Sequence, residues 1–221
     1  MIKLLIFDLD GTLVDTRQDV ANSFNHALNE YGLHSRSLEE ITRAVEEGIE
    51  KLIEKCISSC SSKTNLNKKK ILQLFRNHYQ VHCVYNSAPY PGVMDFLEKH
   101  AHLKMAVLSN KPERYCRIIF KRLKMSSFFS AVVGGDTVSG KKPDPSGARS
   151  ILKSFNLPGE QALMIGDSAP DVLAARSAGM PCVGILNGMG MKEPLLAAEP
   201  EYMIDGFSQL EELINRIGVM E

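Results

Sequence analysis

The sequence predicts an α/β chain, a parallel β-sheet with helices on both faces, interrupted by an all-helical insert. Three observations predict this. Short apolar runs alternate with helix-spaced stretches through the second half of the chain, the texture of βαβ units joined by right-handed crossovers. A block of about seventy residues after the first apolar run reads as helix throughout. The length, 221 residues, corresponds to about one and a half domains, too long for one minimal core and too short for two.

The elements follow in order. Ile2–Phe7 is short, apolar and β-rich, which suits a strand buried on both faces, and it runs straight into Asp8-Leu9-Asp10-Gly11-Thr12. Helical spacing then takes over. It is carried by Val20, Phe24, Ala27, Leu28 and Tyr31, then by Ile41, Val45, Ile49, Leu52 and Ile53, and last by Ile71, Leu74, Phe75, His78 and Tyr79. Gly32 is placed to end the first of these helices and Ser35–Ser37 to cap the second, while Ser58–Asn67 reads as a polar loop. Pro89-Tyr90-Pro91-Gly92 marks the return to the α/β texture. Strands are expected at Met105–Leu108, Ala131–Val133, Ala162–Ile165, Pro181–Leu186 and Tyr202–Ile204. Helices are expected at Glu113–Leu123, Ala148–Phe155, Ala169–Ser177 and Phe207–Ile217. The α/β core is thus assigned to residues 1–15 and 87–221 and the helical insert to 16–86, with the crossings near Val14–Arg17 and Ala88–Gly92.

Composition narrows the function classes. The 26 basic residues are cancelled by 26 acidic ones, which argues against a nucleic-acid or membrane-surface protein. Five cysteines, an odd number without regular pairing, suggest reduced thiols in the cytoplasm. Cys56 and Cys60 read as two small side chains on one helix face, and Lys68–Lys70 as a solvated helix face. The six histidines read as surface or packing residues. The run Ile2–Phe7 carries only Lys3 and stops at Asp8, far short of a secretory signal or a membrane span.

The chemistry gathers at the carboxyl ends of the strands. One ends in Asp8-x-Asp10, another in Ser109 and another in Gly166-Asp167-Ser168, while Lys142 lies in the loop Lys141-Lys142-Pro143-Asp144-Pro145. In an open α/β sheet, ligands bind in the crevice outside these strand ends. Carboxylates brought together there repel one another unless a cation lies between them. Oxygen ligands without a nearby His or Cys cluster favour a hard ion, and beside a phosphate that ion is Mg²⁺. A single Asp would be read as a turn or helix cap, but the set reads as a site.

These residues also carry a resemblance. The segment Asp8-Leu9-Asp10-Gly11-Thr12-Leu13-Val14-Asp15-Thr16 resembles the first motif of the haloacid dehalogenase-like hydrolase superfamily in its phosphatase form. Ser109-Asn110-Lys111 resembles the second motif, Lys142-Pro143-Asp144-Pro145 the third, and Gly166-Asp167-Ser168-Ala169-Pro170-Asp171 the fourth, all in family order. The resemblance implies a Rossmann-like core with a helical cap inserted after the first strand. It implies Asp8 as nucleophile, forming an aspartyl-phosphate, and Asp10 as general acid and base. Mg²⁺ would be held by Asp8, the main-chain carbonyl of Asp10, and Asp167, with Asp171 and Ser168 supporting them. Ser109, Lys142 and the backbone N–H groups around Leu9 and Asn110 would hold the phosphoryl oxygens. Lys142 is preferred over Lys141 because it directly precedes Pro143. The Asn110 side chain could orient the phosphate or cap the next helix.

Within the superfamily, Asp10 argues against the dehalogenases and the phosphonoacetaldehyde hydrolases, which lack this second aspartate, and Lys51 reads as a helix-face lysine rather than a Schiff-base one. The opening Asp15-Thr16-Arg17-Gln18-Asp19-Val20 resembles phosphoglycolate phosphatases, although Glu46 stands where that subgroup usually has glycine. The expected protein is a cytoplasmic Mg²⁺-dependent phosphatase of a small phosphorylated metabolite such as 2-phosphoglycolate, monomeric or homodimeric, with a lid-like cap. The alternative is a sugar phosphomutase similar to β-phosphoglucomutases. A third reading is a non-enzymatic phospho-aspartate module similar to response-regulator receivers.

Overall fold

The first strand, β1 (Leu4–Phe7), has all four residues buried, and alternation explains how. Leu4 and Ile6 point into one apolar layer with Leu108, Ala148, Ile151, Met164, Val172 and Ala175. Phe7 points the other way, its ring 6.2 Å from Phe96, 6.4 Å from Phe129 and 6.1 Å from Phe207. A strand buried on both faces must be covered by helices on both, which is the parallel-sheet solution. The computed structural model describes residues 1–47, 49–58 and 67–219.

After β1 come a two-residue strand β2 (Val14–Asp15) and four helices, α1 (Arg17–Asn29), α2 (Leu38–Glu47), α3 (Ile49–Ser58) and α4 (Lys68–His82). The chain continues through β3 (Ala88–Pro89), α5 (Val93–Lys99), β4 (Met105–Leu108), α6 (Glu113–Arg122), β5 (Ala131–Val133) and α7 (Ser146–Phe155). It closes with β6 (Ala162–Gly166), α8 (Ala169–Ser177), β7 (Cys182–Ile185), α9 (Lys192–Ala197), β8 (Tyr202–Ile204) and α10 (Phe207–Ile217).

Six strands form one parallel sheet in the order β5-β4-β1-β6-β7-β8. In chain order of the sheet strands this is 3-2-1-4-5-6, the doubly wound Rossmann order, in which strands are added outward from β1 first on one side and then on the other. Phe7 is in register with Val107 on one side and Ile165 on the other, so the three strands end level. The residues just beyond them, Asp8, Ser109 and Asp167, share one edge of the sheet. The strands and helices given bounds from the sequence are present within two residues of those bounds, while the second run of helical spacing, Ile41 to Ile53, is divided between α2 and α3. Two helices were not expected, α5 and α9, nor was the antiparallel ribbon that pairs Val14 with Pro89 and Asp15 with Ala88.

The chain divides into two compact units, Met1–Asp15 with Ala88–Glu221, and Thr16–Ser87. In the second unit α1 packs on α4 through Phe24 and Phe75, whose rings lie 6.5 Å apart. Ser37 and Glu40 form a capping box at the start of α2: the Ser37 hydroxyl accepts from the Glu40 N–H, and the Glu40 carboxylate accepts from the Ser37 N–H. Asn67 caps α4 by accepting from the N–H groups of Lys69 and Lys70. The two ends of the unit are tied by Asp19, fully buried near the start of α1, which accepts from the backbone N–H groups of Tyr85, Asn86 and Ser87 and from the Ser87 hydroxyl.

Two sequence expectations gain detail. Three of the six histidines pack on one another rather than alone: the His26 and His78 rings lie 4.2 Å apart and the His78 and His82 rings 4.1 Å apart. Cys56, Cys83, Cys116 and Cys182 are buried and not in disulfides. The expectations for Gly48, Cys60 and most of the polar loop 58–67, and those for the side chains of Glu46 and Lys51, lie outside the described residues.

Candidate active site

Asp8 leaves the end of β1 while its N–H still donates to the Ile165 carbonyl at 2.9 Å, so the ladder aims its carboxylate over the sheet edge. Lys142 comes from the loop before α7. Its ammonium lies 2.8 Å from Asp8 Oδ1 and 2.5 Å from Asp171 Oδ1, and donates to the Leu108 carbonyl at 3.0 Å. Lys142 is buried and Lys141 exposed, which settles which of the two lysines faces the carboxylates. The Asn110 side chain neither caps α6, whose N-cap is Pro112, nor hangs free. It accepts from the Lys142 N–H at 2.8 Å and donates to the Lys142 carbonyl at 3.0 Å, fixing the lysine from behind.

Asp167 follows β6 and is held by three donors. The Thr12 hydroxyl reaches Oδ1 at 2.8 Å, and the N–H groups of Met189 and Gly190 reach Oδ2 at 2.8 Å each. The loop beyond β7 that supplies two of these donors carries no acid or base and was not marked from the sequence. Its signal is the cluster Gly188-Met189-Gly190. A Cβ at Gly188 would lie 2.3 Å from the Asp167 Cβ, and one at Gly190 2.0 Å from the Asp167 carbonyl oxygen. From the other side Gly11, at φ +87°, would put a Cβ 2.1 Å from Asp167 Oδ2. Only glycine fits these contacts, and only glycine adopts the Gly11 turn without strain.

Asp171 occupies a place the sequence assigned differently. The acidic group was expected to gather Asp8, Asp10 and Asp167. Among the described residues, the one group of carboxylates whose oxygens lie within 4.8 Å of one another is Asp8, Asp167 and Asp171. Asp171 is the third residue of α8, and its Oδ2 accepts from the Ser168 N–H at 3.1 Å and the Ser168 hydroxyl at 2.6 Å, so helix geometry points it back at the strand end. Gly166 makes room for it, since a Cβ there would lie 2.4 Å from the Asp171 Cγ. The Asp10 carboxylate is outside that group and pairs with Lys111 at 2.9 Å.

Ser109, buried at the end of β4, accepts from the Lys111 N–H at 3.2 Å. The carbonyl of the buried Leu9 accepts from the N–H groups of Leu13 and Val14, which closes the turn after Asp8.

Electrostatics follow from burial. Burial is the main reason the Asp8 carboxyl is pushed up from 3.8 to about 7; Lys142 pulls it down, and Asp171 and Asp10 push it back. Asp167 is pushed up to about 8 by burial and by the carboxylates of Asp171 and Asp8, against the hydrogen bonds from Thr12 and Gly190. Burial alone would lower the Lys142 ammonium, but the carboxylates of Asp171 and Asp8 outweigh it and keep it charged. The region thus holds more negative charge than its own cation offsets. Asp8 Oδ1, buried, lies 2.8 Å from the Lys142 ammonium. Three close carboxylates offering only oxygen donors are the set that fits a hard divalent cation. The arrangement can therefore hold a metal beside a desolvated carboxylate and present both, with Lys142, to an anion.

Comparison with known proteins agrees with this reading. A family model described as haloacid dehalogenase-like hydrolase matches residues 5–185. A phosphoglycolate phosphatase of Agrobacterium fabrum is 34% identical over 213 residues, covering 94% of this chain and 90% of that protein. One from Pseudomonas fluorescens is 33% identical over 214 residues, covering 94% of this chain and 78% of that protein. The crystal structure of a predicted phosphoglycolate phosphatase from Haemophilus somnus 129pt superposes with a TM-score of 0.89 at 29% identity, covering 96% of this chain and 97% of that one. Among the described residues no helix is long and apolar enough to cross a membrane.

Proposed function

The chain belongs to the haloacid dehalogenase-like hydrolase family, and from that premise we propose that it is a Mg²⁺-dependent phosphatase of a small phosphomonoester, with 2-phosphoglycolate the first substrate to test. The α/β unit is its catalytic body and the helical unit its cap. The observation that carries the reading is the pairing of buried Asp8 with Lys142 at 2.8 Å inside a cluster of three carboxylates. The relatives reported above are named as phosphatases, which favours hydrolysis over the mutase reading. Buried cysteines outside disulfides suit the reducing cytoplasm.

The roles follow from position. The ion would be held by Asp8, the Asp10 main-chain carbonyl and Asp167, with Asp171 supporting them, and would supply the positive charge that lets an anionic carboxylate approach a phosphate dianion. Asp8 attacks phosphorus, the ester P–O bond breaks, and the phosphoryl group passes to the Asp8 carboxylate. Asp10 gives its proton to the departing alkoxide, then takes one from the water that attacks the same phosphorus and frees Asp8 and inorganic phosphate. Lys142 holds a fixed positive charge on Asp8, and is itself held by Asn110. Ser109 and the N–H groups around Leu9 and Asn110 serve the equatorial phosphoryl oxygens, where charge spreads in the transition state.

Phosphate release from a panel of phosphomonoesters, with Mg²⁺ and with chelator, tests this. Release is expected only with the metal. Asp8→Asn is expected to lose about 10³-fold or more in kcat while staying folded. Full turnover in that variant, or no Mg²⁺-dependent release from any ester, overturns the reading.

A further inference from the structure

A second buried lysine in the site has no role in the reaction as derived above. Lys111 follows Ser109-Asn110 at the end of β4, and its ammonium lies 2.9 Å from Asp10 Oδ2, with side-chain exposures of 7% for the lysine and 15% for the aspartate. Its backbone is anchored by three contacts. The Lys111 N–H donates to Ser109 Oγ at 3.2 Å, and the Lys111 carbonyl accepts from the Gly135 N–H at 3.0 Å and from the Cys116 thiol at 3.7 Å. The positive charge beside the nucleophile is already provided by Lys142. A desolvated ammonium costs free energy wherever it stands, and this one stands beside Asp10, the residue assigned above to the leaving group, whereas Lys142 stands beside Asp8.

Resting on the phosphatase reading, we propose that Lys111 binds a carboxylate on the leaving group and so selects phosphate esters of 2-hydroxy acids. The reasoning is geometric. To protonate the leaving group, Asp10 must lie within about 2.6–3.2 Å of the ester's bridging oxygen. In an ester of a 2-hydroxy acid, the carboxylate is bonded to the carbon that carries that oxygen, so its own oxygens lie roughly 3–4 Å from the bridging oxygen. A pose that brings the bridging oxygen to Asp10 can therefore bring the carboxylate within reach of the Lys111 ammonium, 2.9 Å from Asp10 Oδ2. An ammonium has three N–H donors on a rotatable head and can serve a second carboxylate without releasing the first. An ester whose leaving group is neutral makes no such contact. One whose carboxylate is a carbon further away overshoots it.

The test compares kcat/KM for 2-phosphoglycolate with that for ethyl phosphate, which has the same chain length and no carboxylate, in the full chain with Mg²⁺. The quantity read is the ratio of the two, so that any loss through Asp10, common to both esters, divides out. In Lys111→Met the ratio is expected to fall by about 10- to 100-fold, the usual effect of removing a charged hydrogen-bond partner. In Lys111→Arg it is expected to stay within about threefold, since the charge remains. An unchanged ratio in Lys111→Met, with both esters slowed alike, overturns the proposal and leaves the phosphatase reading standing. No phosphate release from 2-phosphoglycolate by the unmodified protein overturns the proposal, whereas the phosphatase reading falls only if no ester of the panel releases phosphate.

Discussion

Asp167 is held by residues that do no chemistry, and the cost of disturbing them can be foreseen. Its two oxygens take three hydrogen bonds, and a carboxylate offers about four lone-pair sites, so one remains for an ion. Gly188→Ala would drive a methyl group to 2.3 Å from the Asp167 Cβ and shift that remaining site. Mg²⁺ activation is expected to weaken about 10- to 100-fold, with kcat at saturating metal far less affected. An unchanged activation midpoint in a metal titration would show that the cradle does not set the geometry. At this scale the sequence marked polar residues at strand ends and in the loop before α7, and of these the structure brings Asp8, Lys142 and Asp167 together. The pairing of Lys111 with Asp10, the donors from Thr12 and from 189–190, and the entry of Asp171 into the cluster were not legible. Each depends on side-chain direction across long sequence separations, which spacing along the chain does not encode.

Asp19 is the decisive residue of one element. It sits in the first turn of α1, where a carboxylate is favoured by the exposed N–H groups. It spends its oxygens, however, on residues 85–87 at the far end of the helical unit. Burial alone would raise its pKa, but the hydrogen bonds from Ser87 and Asn86 outweigh this and lower it. A depressed carboxylate stabilises the fold above its unfolded pKa and loses that contribution as pH falls through the lowered folded value. Asp19→Ala is expected to cost about 2–3 kcal/mol in urea unfolding, with amide exchange in α1 and α4 accelerated first. Equal stability to the parent would show the clasp is idle. Elements with strong periodicity or several consecutive apolar residues were legible to within a residue or two. The β2–β3 ribbon has two residues per strand, below the length at which alternation means anything. The helix α9 has six residues and a proline within it, Pro194, which breaks the usual pattern.

Across the whole molecule the charge cancels, yet the strand ends concentrate carboxylates around Lys142 and Lys111, and the pH response should reveal it. Asp8 at about 7 and Asp167 at about 8 stand above their ordinary value of 3.8. Between about pH 4 and 8 the folded, metal-free chain therefore binds more protons than the unfolded chain, and its stability falls as pH rises through that window. Metal needs both groups ionised, so binding should release protons and tighten with pH, by up to about tenfold per unit for each proton released. Calorimetry of Mg²⁺ binding at pH 6, 7 and 8, in buffers of different ionisation enthalpy, measures both effects. An affinity independent of pH, with no proton release, would mean the cluster is already ionised.

The small antiparallel ribbon of Val14–Asp15 and Ala88–Pro89 has a consequence for ancestry and for engineering. Because the outgoing and returning strands pair with each other, everything between Thr16 and Ser87 is, to the sheet, one enlarged hairpin turn. The strand order and the Asp8 corner are the same whether that turn holds four residues or an entire helical unit. Closing a longer loop costs only about 0.6 kcal/mol per doubling of its length. Recombination at this doorway could exchange one helical unit for another while the α/β unit stays intact, and a grafting experiment could cut and splice at the same two seams.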